Sequence, residues 1–179
     1  MKKVNMIMLV VVAFAINTTA VFAQSEAKKT KIIEDSKMAK MEFVKSDALM
    51  ANLFDSAAGY VIFPNVGKGG LGVGAAAGNG VVYEGGSMVG MAKLSQLSIG
   101  FQAGGQAYRE VIFFESQAQL DRFKESRFEF SAQASAVAAT EGASANVKYT
   151  DGVMVFTMQK GGLMYEASVG GQKFNYNKM

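Results

Sequence analysis

The chain has no histidine, no cysteine and no tryptophan, and Pro64 is its single proline. Without His and Cys there is no Ser-His-Asp or Cys-His nucleophile system. Zinc sites and haem ligation built on those residues are excluded with them. No disulfide can form, and no lipoprotein cysteine follows the leader. An exported chain without disulfides fits a bacterial periplasm better than a small stapled extracellular scaffold. There is no Gly-x-Ser-x-Gly nucleophile elbow and no Gly-Lys-Ser/Thr phosphate loop. Ser, Asp, Glu, Lys and Tyr are left to carry any chemistry, and neither a cofactor nor a metal is expected.

A dominant charge is also lacking. Eighteen basic residues face fifteen acidic ones. Two of the basic ones, Lys2 and Lys3, belong to the leader, so the remainder is close to balance. A basic nucleic-acid footprint is absent, and no nucleic-acid partner is expected. The leader itself is short. Val4 to Ile16 is apolar except for Asn5, and Val21-Phe22-Ala23 precedes Gln24. The apolar run falls below the ~20 residues of a spanning helix. This pattern predicts a secretory signal peptide over 1–23, cleaved near Ala23, with export to the periplasm or cell envelope. Residues 24–179 read as a single domain.

What is abundant is glycine. From Gly59 to Gly105 it recurs at Gly67, Gly69, Gly70, Gly72, Gly74, Gly78, Gly80, Gly85, Gly86, Gly100 and Gly104. Such density permits positive φ and close backbone approach, and it weakens helix. Gly67-x-Gly69-x-x-Gly72 matches a dinucleotide fingerprint, but no helix-forming segment follows and no acidic residue lies about twenty positions on. Nucleotide is therefore not an expected partner. The glycines instead predict bent, closely packed strands.

The periodicity divides the chain in two. Over 25–57, Ile32, Ala39, Phe43, Met50 and Phe54 form one helical stripe. Ser46-Asp47 could split it into two helices, with Ser46 as N-cap. Lys28, Lys29, Lys31, Lys37, Lys40 and Lys45 interleave with Glu34, Asp35 and Glu42, which reads as a solvated surface. Over 58–177 the pattern is strand-like. Tyr60–Phe63 is closed by Pro64. Leu71–Ala77 and Val81–Glu84 are separated by an Asn79-Gly80 turn signal. Met88–Ile99 and Ala107–Phe114 follow. Ser116 and Gln119 suggest a capping box for a short helix near 116–126. Ala145, Val147 and Tyr149 alternate up to an Asp151-Gly152 hairpin signal. Val153–Gln159, a turn at Lys160-Gly161-Gly162, Leu163–Val169, a turn at Gly170-Gly171 and a last strand with Phe174 and Tyr176 then read as an antiparallel meander. The expected class is α+β, with a predominantly antiparallel, strongly curved or barrel-like sheet, N-terminal helix or helices and one short later helix.

Two basic residues are candidates for an anionic headgroup. Lys68 lies inside the glycine run, where backbone N–H groups could join it around an anion; an exposed turn lysine is the plainer alternative. Arg109 is the second, although beside Glu110 it also reads as an ion-paired strand residue. Glu34, Asp35, Glu110, Glu115, Glu141 and Asp151 read as surface charges rather than catalytic acids.

Gly59-Tyr-Val-Ile-Phe-Pro64, Lys68-Gly-Gly-Leu-Gly-Val-Gly74, Gly80-Val-Val-Tyr83, Ser98-Ile-Gly-Phe-Gln-Ala-Gly-Gly105 and Gly162-Leu-Met-Tyr-Glu-Ala-Ser-Val-Gly170 together resemble the SYLF domain. The resemblance covers roughly Ala48 to Tyr176. It implies a non-enzymatic phospholipid-binding module. Eukaryotic members bind phosphoinositides, and some are linked to actin patches. Bacterial members are exported envelope proteins. In the family, lipid binding is attributed to basic surface and an amphipathic N-terminal segment. Lys68 falls in the matching Lys-Gly-Gly motif, whereas the basic face of the N-terminal helix here is diffuse. Anionic phospholipid or a membrane surface is the implied partner, and actin does not fit an exported envelope protein. Gly59, Gly69, Gly70, Gly72, Gly74, Gly104, Gly105, Gly170 and Gly171 are read as architectural. Two alternatives stand beside this reading: a small outer-membrane β-barrel, and a periplasmic hydrolase using Lys, Tyr or carboxylates.

Overall fold

The computed structural model describes residues 25–71, 73–99, 105–131, 134–160 and 166–179. The expected leader, Gly72, Gly104 and most of the 160–165 turn and strand lie outside them.

Helix α1 runs over 25–46 and α2 over Met50–Ser56. Strand β1 spans Gly59–Leu71, β2 Val73–Glu84, β3 Ser87–Ile99 and β4 Gly105–Phe114. Helix α3 is Gln117–Lys124. Strands β5 (Ser135–Ala138), β6 (Val153–Gln159), β7 (Glu166–Ser168) and β8 (Lys173–Lys178) follow. The eight strands form one sheet in the order β7-β5-β6-β4-β1-β2-β3-β8. Every pairing is antiparallel except β5 with β6. The class is α+β, as the periodicity predicted. The sheet is open, with β7 and β8 at opposite edges, so the described strands do not close into a barrel.

Both faces of the sheet are buried. On one, α1 and α2 bring Ala39, Phe43, Met50 and Phe54 onto Tyr60, Ile62, Val81, Val111, Phe113 and Phe156. On the other, α3 and the segments near 128–130 and 169–174 cover Val61, Phe63, Val82, Ile112, Phe114 and Val155. Strict alternation in β1 and β4 produces this division, because successive side chains point to opposite faces. Val111-Ile112-Phe113-Phe114 is the central strand expected of a run apolar on both sides.

Several expectations change. β1 does not stop at Pro64. It carries one extra residue there against both neighbours, between Ile62 and Val66. A bulge accommodates a residue that has no N–H to give the ladder. Asn79-Gly80 is not a turn, since β2 passes straight through it and both residues hold register with β3. Gly80 is required by space, because a Cβ there would lie 2.6 Å from the Ile62 carbonyl oxygen. The stretch 145–149 is not a strand. Ala143–Asn146 is a 3-10 turn, and only Thr150 bridges to Val153.

The last strands are no meander: β6 neighbours β4 and β5, while β8 crosses to pair with β3. Ser46 is not an N-cap. It donates to the Ala139 carbonyl at 2.7 Å, and Asp47 closes the helix junction by accepting the Leu49 N–H at 3.1 Å. Ser116 does sit at the N-cap of α3, but its hydroxyl bonds the Gln119 side chain instead of a backbone N–H. The Asp151-Gly152 turn is as expected, with both residues at positive φ.

Candidate functional site

The glycine run around Lys68 is strand, not a phosphate-binding loop. Gly67, Lys68 and Gly69 pair with Ala77, Ala76 and Ala75 on one side and with Ala107, Gln106 and Gly105 on the other. Their backbone groups are committed to the ladder, so no nest of free N–H groups forms at Lys68. Lys68 is half-buried, and burial holds its ammonium below the ordinary lysine value. No carboxylate pairs with it among the described residues. It is thus a partly desolvated cation open to an anion supplied from outside.

Arg109 is elsewhere. Lys68 shares its sheet face with Gln106 and Tyr108, and Arg109, one residue on, faces α1. Its guanidinium pairs with Glu42 at 2.7 Å. Near it Lys160 donates to Asn65, and Asn65 donates to Asp35 at 3.4 Å. Arg109 therefore helps fasten α1 to the sheet. The sheet separates the two candidate basic residues, and they do not form one site.

Of the glycines read as architectural, Gly59 has the clearest reason, since a Cβ would sit 2.6 Å from the Tyr83 carbonyl oxygen and 2.7 Å from Leu120 Cδ2. Gly171 is at φ +72°, where a side chain is strained. Gly69, Gly74 and Gly105 are strand residues in register, and Gly70 has φ 156°.

The outward face of α1 was not singled out from the sequence. Its inner face is fixed by Phe43 and Ala39, by Ser36 hydrogen-bonded to the Tyr83 hydroxyl at 3.2 Å, and by Lys40 donating to the Tyr60 hydroxyl at 3.1 Å. Lys40 also lies over the Phe54 ring, 4.7 Å from its centroid. This leaves Lys37, Met38, Met41 and Lys45 on one exposed stripe that continues to Leu49 at the start of α2. Met41 is 64% exposed, Met38 49% and Leu49 45%. Spacings of three and four would have revealed the stripe. The stronger apolar stripe drew attention to the opposite face.

The candidate carboxylates do not converge. Asp35 pairs with Lys31, Glu110 is fully buried within the sheet, and Glu34, Glu115, Glu141 and Asp151 are dispersed and exposed. A cleft of about 1090 Å³ is lined by residues including Arg122, Phe128, Phe130, Lys148 and Val155, and none of the candidate basic residues borders it. No described helix is long and apolar enough to cross a membrane.

The family model named Ysc84, described as Las17-binding protein actin regulator, matches residues 95–178. Over that stretch the chain is similar to the SYLF (Ysc84) family. The SYLF match takes in the end of β3 and everything from β4 to β8. Arg109, Glu110 and the 162–170 motif fall inside it, whereas Gly59–Gly74 and Lys68 lie before it. Beta cell expansion factor A of Aeromonas veronii is 32% identical over 75 residues, which is 42% of this chain and 29% of that protein. The chain therefore spans less than a third of the length of that curated relative.

Proposed function

We propose that this protein binds anionic phospholipid headgroups at a membrane surface and catalyses no reaction. The observation that carries this reading is the exposed stripe of Met38, Met41 and Leu49 flanked by Lys37 and Lys45. A helix with an apolar face and lysines beside it lies in the bilayer interface, with its apolar groups among the acyl boundary and its ammonium groups at the phosphates. Each lysine near an anionic surface is worth about 1 kcal/mol. Three half-exposed apolar side chains add roughly 1 kcal/mol apiece on burial. The sum describes peripheral, reversible and salt-sensitive attachment. Lys68, on the far side of the sheet, faces away from this stripe and is not part of the same contact. The SYLF match over residues 95–178 and the spread of the carboxylates favour binding over hydrolysis.

The deciding experiment is co-sedimentation of the mature chain with vesicles of phosphatidylcholine alone or mixed with phosphatidylglycerol. Binding is expected only to the mixed vesicles, and Lys37→Glu/Lys45→Glu should reduce it by tenfold or more. Equal pelleting with both vesicles, unchanged in the double variant, overturns the reading. Export to the cell envelope is part of the same proposal. It predicts that the envelope fraction holds a chain whose mass corresponds to a start at Gln24.

A further inference from the structure

Between β7 and β8 the chain crosses the sheet as a strap, residues 169–172. Three side chains hold it. Gln96 Nε2 donates to the Gly170 carbonyl at 2.8 Å. Gln172 Nε2 donates to Glu110 Oε2 at 3.0 Å and to the Tyr108 hydroxyl at 3.4 Å. The strap in turn exchanges backbone hydrogen bonds with Phe130, whose N–H donates to the Gln172 carbonyl and whose carbonyl accepts the Gly171 N–H, both at 3.1 Å. Phe130 meets Phe128 and Phe174 at ring separations of 5.2 and 5.6 Å. The strap thus closes over a phenylalanine cluster.

Glu110 and Gln172 are both completely buried, and Thr157, the register partner of Glu110 on β6, is 1% exposed. Among the described residues, Glu110 Oε1, Gln172 Oε1 and Thr157 Oγ1 have no hydrogen-bond partner. The groups around Glu110 do not suit an anion. β1 presents Phe63 in register, β6 presents Thr157, β4 presents Tyr108, and the strap presents Gln172. Lys68 is on the same face but at the register of Gln106, and Lys173 beside the strap pairs with Glu129 at 3.5 Å. No cation pairs with Glu110 among the described residues. A single amide donor does not offset the cost of a buried carboxylate. A proton on Oε1 makes it a donor in a cluster where Gln172 Oε1 and Thr157 Oγ1 lack partners.

We propose that Glu110 is a proton-operated latch: its neutral carboxyl holds the 169–172 strap on the sheet, and its ionisation frees the strap and uncovers the phenylalanine cluster. Burial raises the carboxyl from its ordinary 4.5 to about 7, partly offset by the Gln172 hydrogen bond, which places the switch near neutrality. The closed form keeps the proton that the open form loses, so closure weakens as pH rises from about 4.5 to about 7 and changes no further above that.

Amide hydrogen exchange on the full mature chain tests this, corrected for the intrinsic pH dependence of exchange. The opening equilibrium read at the Phe130, Gly171 and Gln172 amides should rise about tenfold per pH unit between pH 5 and 7 and then level off. Amides of β1 and β4 should not follow, and Glu110→Gln should abolish the dependence. A flat wild-type profile, or an equal rise in β1 and β4, overturns the latch. A 13C carboxyl titration of the wild-type chain stands independently of how the variant folds. One glutamate titrating near pH 7 supports the latch, and all glutamates titrating near their ordinary values overturn it.

Discussion

Asp47 Oδ2 accepts the Ser144 N–H at 2.8 Å, joining residues 97 positions apart. The same carboxyl takes the Leu49 N–H, so one side chain both turns the chain from α1 into α2 and ties that corner to the 3-10 turn. Burial opposes its ionisation, but hydrogen bonds from Ser144, Leu49 and Gly142 outweigh this and hold its pKa below the ordinary carboxylate value. Asp47→Ala strands buried donors on two segments and should cost roughly 2 kcal/mol. A group with a lowered folded pKa stabilises above its unfolded value, and that share is lost as pH falls through the folded one. Urea unfolding of wild type and variant should therefore differ at pH 7 and converge at strongly acidic pH.

Gly59 and Gly67 lie in one strand and should answer differently to alanine. At Gly59 the new methyl meets the Tyr83 carbonyl and Leu120, while at Gly67 nothing lies within 4 Å. Backbone cannot yield as a flexible side-chain tip can. Gly59→Ala should cost about 1–3 kcal/mol, and Gly67→Ala should stay within about 0.5 kcal/mol of wild type. Thermal unfolding of the two variants is the check.

The Arg109–Glu42 pair fastens α1 but is partly open to solvent, at 17% and 45% side-chain exposure. Such a pair is worth at most about 1 kcal/mol. Arg109→Ala should lower stability by no more than that, less so in high salt, and should leave vesicle binding unchanged. A large loss of binding in this variant would restore Arg109 as a headgroup residue.

Met41 makes its contribution outside the fold. At 64% exposure, Met41→Asp should move stability by no more than about 0.5 kcal/mol. It places a carboxylate in the stripe, so pelleting with anionic vesicles should fall several-fold. Lys68→Glu should give a smaller loss, because that residue is on the other side of the sheet.

The legible parts of this fold are those written in local periodicity. Ala39, Phe43, Met50 and Phe54 lie 3.6-periodic on one side of α1 and α2, and all four are buried. Val111 to Phe114 had to be central because both its faces are apolar. Asp151-Gly152 had to turn because both residues accept positive φ. The errors share one cause, which is that alternation marks a strand without marking its neighbour. Nothing local in Lys173–Lys178 says that it pairs with β3 across the sheet rather than with β7, the strand before it. Asn79-Gly80 has turn chemistry, but the packing of Phe63 and the Ile62 carbonyl gives Gly80 a strand's reason to be glycine.

The same division applies to the sites. The sequence by itself determined the absence of His and Cys chemistry, the balanced charge, the α+β class and a glycine run that could not open a helix. Tertiary structure alone decided that Lys68 and Arg109 stand on opposite faces, because one register position inverts a strand residue's direction and a bulge at Pro64 resets β1. It also decided which lysines of α1 remain in solvent, since Lys40 is spent on Tyr60 while Lys31, though paired with Asp35, stays exposed. And it placed Glu110, an ordinary strand glutamate by sequence, beside Gln172 from 62 residues away, where burial rather than any local pattern sets its protonation.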